Sequence, residues 1–147
     1  MVQVCGLGLD IVPIWRVVEA LSRRGDRFAA RVLSQPELDE TKGRGLQGRV
    51  KAQYMAGRIA AKEAVGKAIG LGVGPIGWRS LSITAGPNGR PVCSLSGAAA
   101  AAAARAGVSQ VMVSITHTEA TAAACAVALG RGPEPEEVAG VAPDHVM

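Results

Sequence analysis

The apolar residues change period several times along the chain, and the changes divide it into elements. Residues 2–12 are largely apolar and read as a strand, in which Gly6 and Gly8 mark weak points or sites of close backbone approach. Pro13 suits the first turn of a helix, and Ile14, Val17, Val18 and Leu21 then recur at helical spacing until Gly25. Asp26 is a candidate cap for a second short helix over 27–33, with Phe28 and Val32 turned inward. Ser34 and Glu37, with Pro36 between them, carry a capping-box signature. A glycine-bearing linker, 43–48, leads into the longest periodic segment, 50–71, whose apolar stripe is Tyr54, Met55, Ile59, Val65 and Ile69.

The second half reads differently. Residues 72–77 predict a loop, 78–84 an alternating strand, Gly86-Pro87-Asn88-Gly89 a tight turn, and 92–95 the returning arm of a hairpin. Ser96 is placed to cap an alanine-rich helix ending near Gly107. Residues 108–116 are β-branched and predict a strand; 121–129 predict another by position, although alanine is a poor strand former. The expected fold class is α+β with a mainly antiparallel sheet, a single domain over 1–130. Residues 131–147 are rich in Pro, Glu and Gly and are expected to form a flexible tail.

Composition narrows the function classes. Apolar residues make up 48% of the 147 and aromatics 3%, so the core must be built from Ala, Val, Leu and Ile. No apolar run reaches the roughly 20 residues that span a bilayer, and Asp10 interrupts the first apolar stretch, so neither a membrane segment nor a signal peptide is expected. Cys5, Cys93 and Cys125 are widely spaced in apolar contexts and read as reduced core thiols of a cytoplasmic protein. The net charge of +4 favours an anionic partner. The basic stretches lack interleaved aromatics and no DNA-binding motif is present, which argues against nucleic acid.

Candidate chemistry centres on Asp10 and Glu63, each set among small or apolar neighbours. A desolvated carboxylate must be paired, protonated or bound to a cation. Glu63 and Lys67 lie one helical turn apart on one face, as an exposed ion pair or as part of a site. Two carboxylates with a nearby lysine suit a hard divalent cation carrying a phosphorylated ligand. Lys62 and Arg58 point round the helix from Glu63, toward other parts of a ligand, another subunit or solvent. Ser114-Ile115-Thr116-His117-Thr118 is a second polar cluster at a strand end, and Asn88-Gly89-Arg90 is a basic turn.

Taken together, Gly6-Leu7-Gly8-Leu9-Asp10-Ile11, Arg27-Phe28-Ala29-Ala30-Arg31-Val32-Leu33, Gly57-Arg58-Ile59-Ala60-Ala61-Lys62-Glu63-Ala64 with Lys67-Ala68, Asn88-Gly89-Arg90-Pro91 and Ser114-Ile115-Thr116-His117-Thr118 resemble the holo-[acyl-carrier-protein] synthase family of phosphopantetheinyl transferases. The resemblance implies a long helix packed on an antiparallel sheet, the 4'-phosphopantetheinyl transferase fold, assembled as a homotrimer with an active site at each subunit interface. It implies transfer of 4'-phosphopantetheine from coenzyme A to a serine of an apo acyl carrier protein, releasing 3',5'-ADP. By similarity, Asp10 and Glu63 hold Mg²⁺, and Glu63 and Lys67 are the catalytic pair, with Lys67 on the diphosphate. Arg58, Asn88, Gly89, Arg90, His117 and Thr118 then serve the adenosine and 3'-phosphate. The helix with Arg16, Arg23, Arg24 and Arg27 resembles the family's docking surface for acidic carrier proteins. Arg90 stands where the family's turn has lysine, and Pro13 where it often has an acid or another polar residue; neither change touches the metal ligands. The rival readings are a non-catalytic module that binds coenzyme A or a carrier protein, and a basic nucleic-acid-binding protein.

Overall fold

The computed structural model describes residues 1–135. Its elements are β1 (Gln3–Pro13), α1 (Ile14–Arg24), α2 (Asp26–Val32), α3 (Gln35–Gly43), α4 (Gly48–Ile69), the short α5 (Val73–Ile76), β2 (Leu81–Ala85), β3 (Pro91–Leu95), α6 (Gly97–Arg105), β4 (Val108–His117) and β5 (Thr121–Gly130). The class is α+β. The expected single sheet is instead two antiparallel ones, a three-stranded sheet in the order β1-β5-β4 and the separate β2–β3 hairpin. Most of the expected tail, 131–147, lies outside the described residues. Its first residues are attached, with Gly132 N–H donating to Gly107 O at 3.2 Å.

α4 is buried on nearly every side rather than along one stripe, which identifies it as the central helix. It rests on β1 and β5, and the local sequence of both strands is fitted to that contact. On β1, Gly6, Gly8, Asp10 and Val12 face α4 while Leu7, Leu9 and Ile11 face away. A Cβ on Gly6 would run into the carbonyl oxygen of Ala68, and one on Gly8 into that of Ala64. The glycines are therefore sites of backbone-to-backbone contact. On β5, Ala122, Ala124, Ala126 and Ala128 face the helix and are fully or almost fully buried. Alanine is disfavoured in a strand taken alone; here its small volume lets the helix sit close to the middle strand.

Several local expectations shift. Pro13 closes β1 at the N-cap of α1, with φ −64° and ψ 126°, and the helix begins at Ile14. Gly25, at φ 55°, takes the N-cap of α2, so Asp26 lies in that helix's first turn instead of capping it. Residues 78–80 form a 3-10 turn, which shortens the predicted strand to Leu81–Ala85. Ser96 occupies the N-cap of α6 without a side-chain capping bond. Its hydroxyl instead donates to Ser80 O at 3.4 Å. Cys125 is exposed, on the side of β5 turned from α4, so only Cys5 and Cys93 are even half-buried.

The largest correction concerns Lys62. Its side chain is fully buried and points into the core, where its ammonium donates to Glu37 Oε1 at 2.6 Å, Val32 O at 2.8 Å and Trp78 O at 3.0 Å. Burial lowers its pKa and the Glu37 charge opposes that shift. Glu37, equally buried, completes the capping box by accepting from Ser34 N–H at 2.8 Å, and its other oxygen accepts from Ile83 N–H at 2.8 Å. Every donor of the ammonium is used, which is the condition under which a buried ion pair can offset its desolvation.

Lys62→Met leaves Glu37 buried without a counter-ion and should cost about 3–5 kcal/mol in urea unfolding. Glu37→Leu should cost a similar amount, and the double variant clearly less than the sum of the two, the signature of a coupled pair.

Candidate active site

Asp10 reaches the site because β1 presents every second residue to α4, and the glycines at 6 and 8 let the strand lie against the helix. Glu63 and Lys67 reach it because they share the α4 face turned to the end of β1. Lys67 Nζ donates to Leu9 O at 2.8 Å and to Asp10 Oδ1 at 3.3 Å. The ion pair is only partly shielded, with the lysine side chain 55% exposed and the aspartate 21%. Burial raises the Glu63 pKa, the Asp10 carboxylate raises it further, and Lys67 opposes both. Two carboxylates thus press on one another, with a single ammonium beside them in contact with Asp10. Such a group attracts a further cation.

Among the described residues no cluster of three or more His, Cys, Asp or Glu side chains is placed to hold a metal ion. Asp10 and Glu63 alone suit Mg²⁺, which characteristically takes one or two carboxylates and fills its remaining positions with water and phosphate. The donor set therefore fits that ion and no all-protein cage.

The other expected site residues lie elsewhere. His117 ends β4, paired across the sheet with Ala122, which in turn pairs with Val12. The imidazole is exposed at the same end of the sheet as Asp10, with Nδ1 3.2 Å from Thr118 O. The Thr118 hydroxyl accepts from Ala120 N–H at 3.3 Å and Thr121 N–H at 3.2 Å and so closes the β4–β5 turn. Asn88 and Gly89 form the β2–β3 turn in left-handed conformations, φ 60° and 73°, which Asn and Gly adopt at least cost. Arg90 is exposed beside them.

Arg58 is turned to the hairpin rather than to β1. Its Nε donates to Ile83 O at 3.0 Å, Nη2 donates to Glu40 Oε1 at 3.2 Å, and its guanidinium lies 4.0 Å from the Tyr54 ring centre. Burial pushes the Tyr54 hydroxyl pKa far up, against the opposing Arg58 charge. Among the described residues no hydrogen bond or ion pair joins Arg58, the 88–90 turn or His117 to Asp10, Glu63 or Lys67.

On α1, Ile14 and Val17 are buried, while Arg16, Arg23, Arg24 and Trp15 are exposed, Trp15 to 61%. Arg16 lies over the Trp15 ring at 5.7 Å, and Arg23 pairs with Glu19 at 2.7 Å. Arg23, Arg24, Arg27 and Arg31 together surround a recess beside Phe28. Sequence reasoning missed Glu37, Lys62 and Glu40 as a structural group. The capping box pointed to Glu37, but nothing local showed that its free oxygens turn inward.

The family model described as the 4'-phosphopantetheinyl transferase superfamily matches residues 6–128. The chain belongs to that superfamily. Within it the chain is an enzyme of the holo-[acyl-carrier-protein] synthase type. It is 46% identical over 100 residues to the holo-[acyl-carrier-protein] synthase of Leptothrix cholodnii, covering 65% of this chain and 74% of that one. The fold is similar to that of the same enzyme from Neisseria meningitidis, with a TM-score of 0.77 at 33% identity, covering 86% of this chain and 98% of that one. It is also similar to the Helicobacter pylori synthase solved in complex with coenzyme A, with a TM-score of 0.70 at 28% identity, covering 83% and 98%. No helix among the described residues of this transferase is long and apolar enough to cross a membrane.

The raised Glu63 pKa has a definite sign. The folded state holds the Glu63 proton more tightly than the unfolded chain does. That stabilisation is complete below the ordinary carboxylate pKa and is lost as pH rises through the raised value. In metal-free buffer, Glu63→Gln should therefore melt higher than the unsubstituted protein at pH 8, with the gap closing toward pH 4. A gap independent of pH would show that Glu63 is not under this strain.

Proposed function

We propose that this enzyme moves the 4'-phosphopantetheine arm of coenzyme A onto a serine hydroxyl of an apo acyl carrier protein and releases 3',5'-ADP, with Mg²⁺ held by Asp10 and Glu63. The observation that carries the reading is the contact of Lys67 with Asp10 next to a Glu63 of raised pKa. A diphosphate would be repelled by two bare carboxylates; a divalent cation held by Asp10 and Glu63 would attract it. The bound ion supplies charge neutralisation at the diphosphate.

The remaining work falls to side chains. Lys67, anchored to Leu9 O and Asp10, presents a point charge to the diphosphate oxygens. The serine oxygen attacks the phosphorus that bears the pantetheine arm, and the bond from that phosphorus to the 3',5'-ADP oxygen breaks. Lys67 offsets the charge that grows on the departing phosphate. The serine proton leaves to Glu63 or to water. Asn88, Gly89, Arg90, His117 and Thr118 form the nucleotide end of the site.

The outward face of the three-stranded sheet supports assembly as a homotrimer. Leu7, Leu9, Ile11 and Met112 are 67%, 63%, 62% and 48% exposed on that face. A contiguous apolar surface of this kind marks a protein interface. An active site between subunits also lets the 88–90 turn of one chain serve the Asp10–Glu63–Lys67 group of another. Arg16, Arg23, Arg24 and Arg27, with Trp15 beside Arg16, suit an acidic carrier with an apolar contact point. Residues 1–130 are the transferase domain, acting in the cytoplasm.

Intact-mass spectrometry of an apo carrier incubated with the enzyme, coenzyme A and Mg²⁺ should show the phosphopantetheine mass gain, abolished by EDTA. Asp10→Ala and Glu63→Ala should each abolish the gain while the oligomer stays folded; near-normal transfer by both variants would remove the metal assignment. Arg16→Glu or Arg23→Glu should weaken carrier binding far more than coenzyme A binding. Equal losses would count against docking on α1.

A further inference from the structure

The hairpin that carries Asn88–Arg90 is held from behind by two carboxylates of α3. Glu37 Oε2 accepts from Ile83 N–H at 2.8 Å, and Glu40 Oε2 accepts from Ala85 N–H at 2.9 Å. Each carboxylate is gripped in turn by a cation of α4, Glu37 by Lys62 at 2.6 Å and Glu40 by Arg58 at 3.2 Å. The spacings agree across three elements. Glu37 and Glu40 are three apart on α3, Arg58 and Lys62 four apart on α4, and Ile83 and Ala85 two apart on β2, so each set shares one face. The result is two parallel ties from the central helix to the backbone of β2.

The ties differ in environment. The one through Glu37 is sealed in the core. In the one through Glu40 the Arg58 and Glu40 side chains are 12% and 13% exposed, and its β2 residue, Ala85, is the last before the turn. Gly86 N–H then donates to Arg90 O at 2.7 Å and closes the loop. Arg58 is held as well by Ile83 O and by the Tyr54 ring, which leaves its guanidinium directed at the hairpin.

We infer that Glu40 is a positioning residue for the nucleotide of the substrate, acting through Arg58 and the Ala85 N–H to set the Asn88–Arg90 turn. The inference rests on the proposed reading in which that turn meets the nucleotide of coenzyme A. Arg58 is the cation through which α4 holds Glu40, at 3.2 Å.

The test is a double-variant cycle on the full chain, with steady-state kinetics for coenzyme A at saturating carrier protein and Mg²⁺. Glu40→Ala and Arg58→Ala should each raise KM roughly fivefold to tenfold with kcat within about twofold, the effect of a displaced contact remote from the reacting phosphorus. The double variant should show no more than the larger single effect, because the two residues act as one unit. Arg90→Ala should show the same KM-only loss. An unchanged KM in folded Glu40→Ala, multiplying effects in the double variant, or an unchanged KM in Arg90→Ala would each overturn the inference. Should Glu40→Ala not fold, Glu40→Gln keeps an acceptor for Ala85 but drops the charge opposite Arg58, and a KM equal to that of the unsubstituted enzyme would overturn the inference in the same way. Absence of transfer by the unsubstituted enzyme is a separate failure, that of the transferase reading itself.

Discussion

Glu37 and Lys62 meet where no water reaches either side chain, and the arrangement of the helices around the hairpin follows from satisfying them. Taking two charges out of water costs several kcal/mol each even after relaxation, so the pair persists only if every polar atom finds a partner. The partners come from four places: the end of α2 at Val32, the start of α3 at Ser34, the turn at Trp78 and strand β2 at Ile83. None of these segments can shift without leaving a charged group unsatisfied. The pair thus fixes α4 in rotation as well as position. That rotation matters because Glu63 is the next residue, and it faces β1 only while Lys62 faces the core.

The two charged groups of α4 therefore divide one helix between a sealed face and a partly open one. On one side Lys62 and Arg58 hold carboxylates of α3 and, through them, the hairpin. On another, Glu63 and Lys67 stand beside Asp10 at the end of β1. The ion pairs differ in kind because their burial differs. The inner one has no access to solvent, whereas Lys67 is more than half exposed.

Much of the fold was legible because local rules agreed with tertiary ones. The helical spacing of Ile14, Val17 and Leu21, the capping box at Ser34 and Glu37, and the Asn88-Gly89 turn all formed where their chemistry placed them. The meeting of Asp10, Glu63 and Lys67 was legible for a related reason: charged residues set among alanines and glycines need a partner, and these three are one another's. What stayed hidden depended on distant contacts. Lys62 read as turned to a ligand, another subunit or solvent, since helical geometry gives a direction but not what fills it. Cys125 looked interior because its neighbours are apolar, yet an alternating strand puts every second residue on the far face. The division into two sheets rests on pairing between strands far apart in sequence, which no local pattern encodes.

Gly6 and Gly8 have a mechanical consequence. Where strand and helix touch main chain to main chain, no rotamer change can widen or narrow the gap, because there are no side chains in it. The spacing between the Asp10 and Glu63 attachment points is then governed by covalent geometry and hydrogen-bonded backbone, the stiffest parts of a protein. Repacking elsewhere in this alanine-built core can soften the molecule considerably while that interval keeps its length, much as a hinge pin holds its diameter when the door warps.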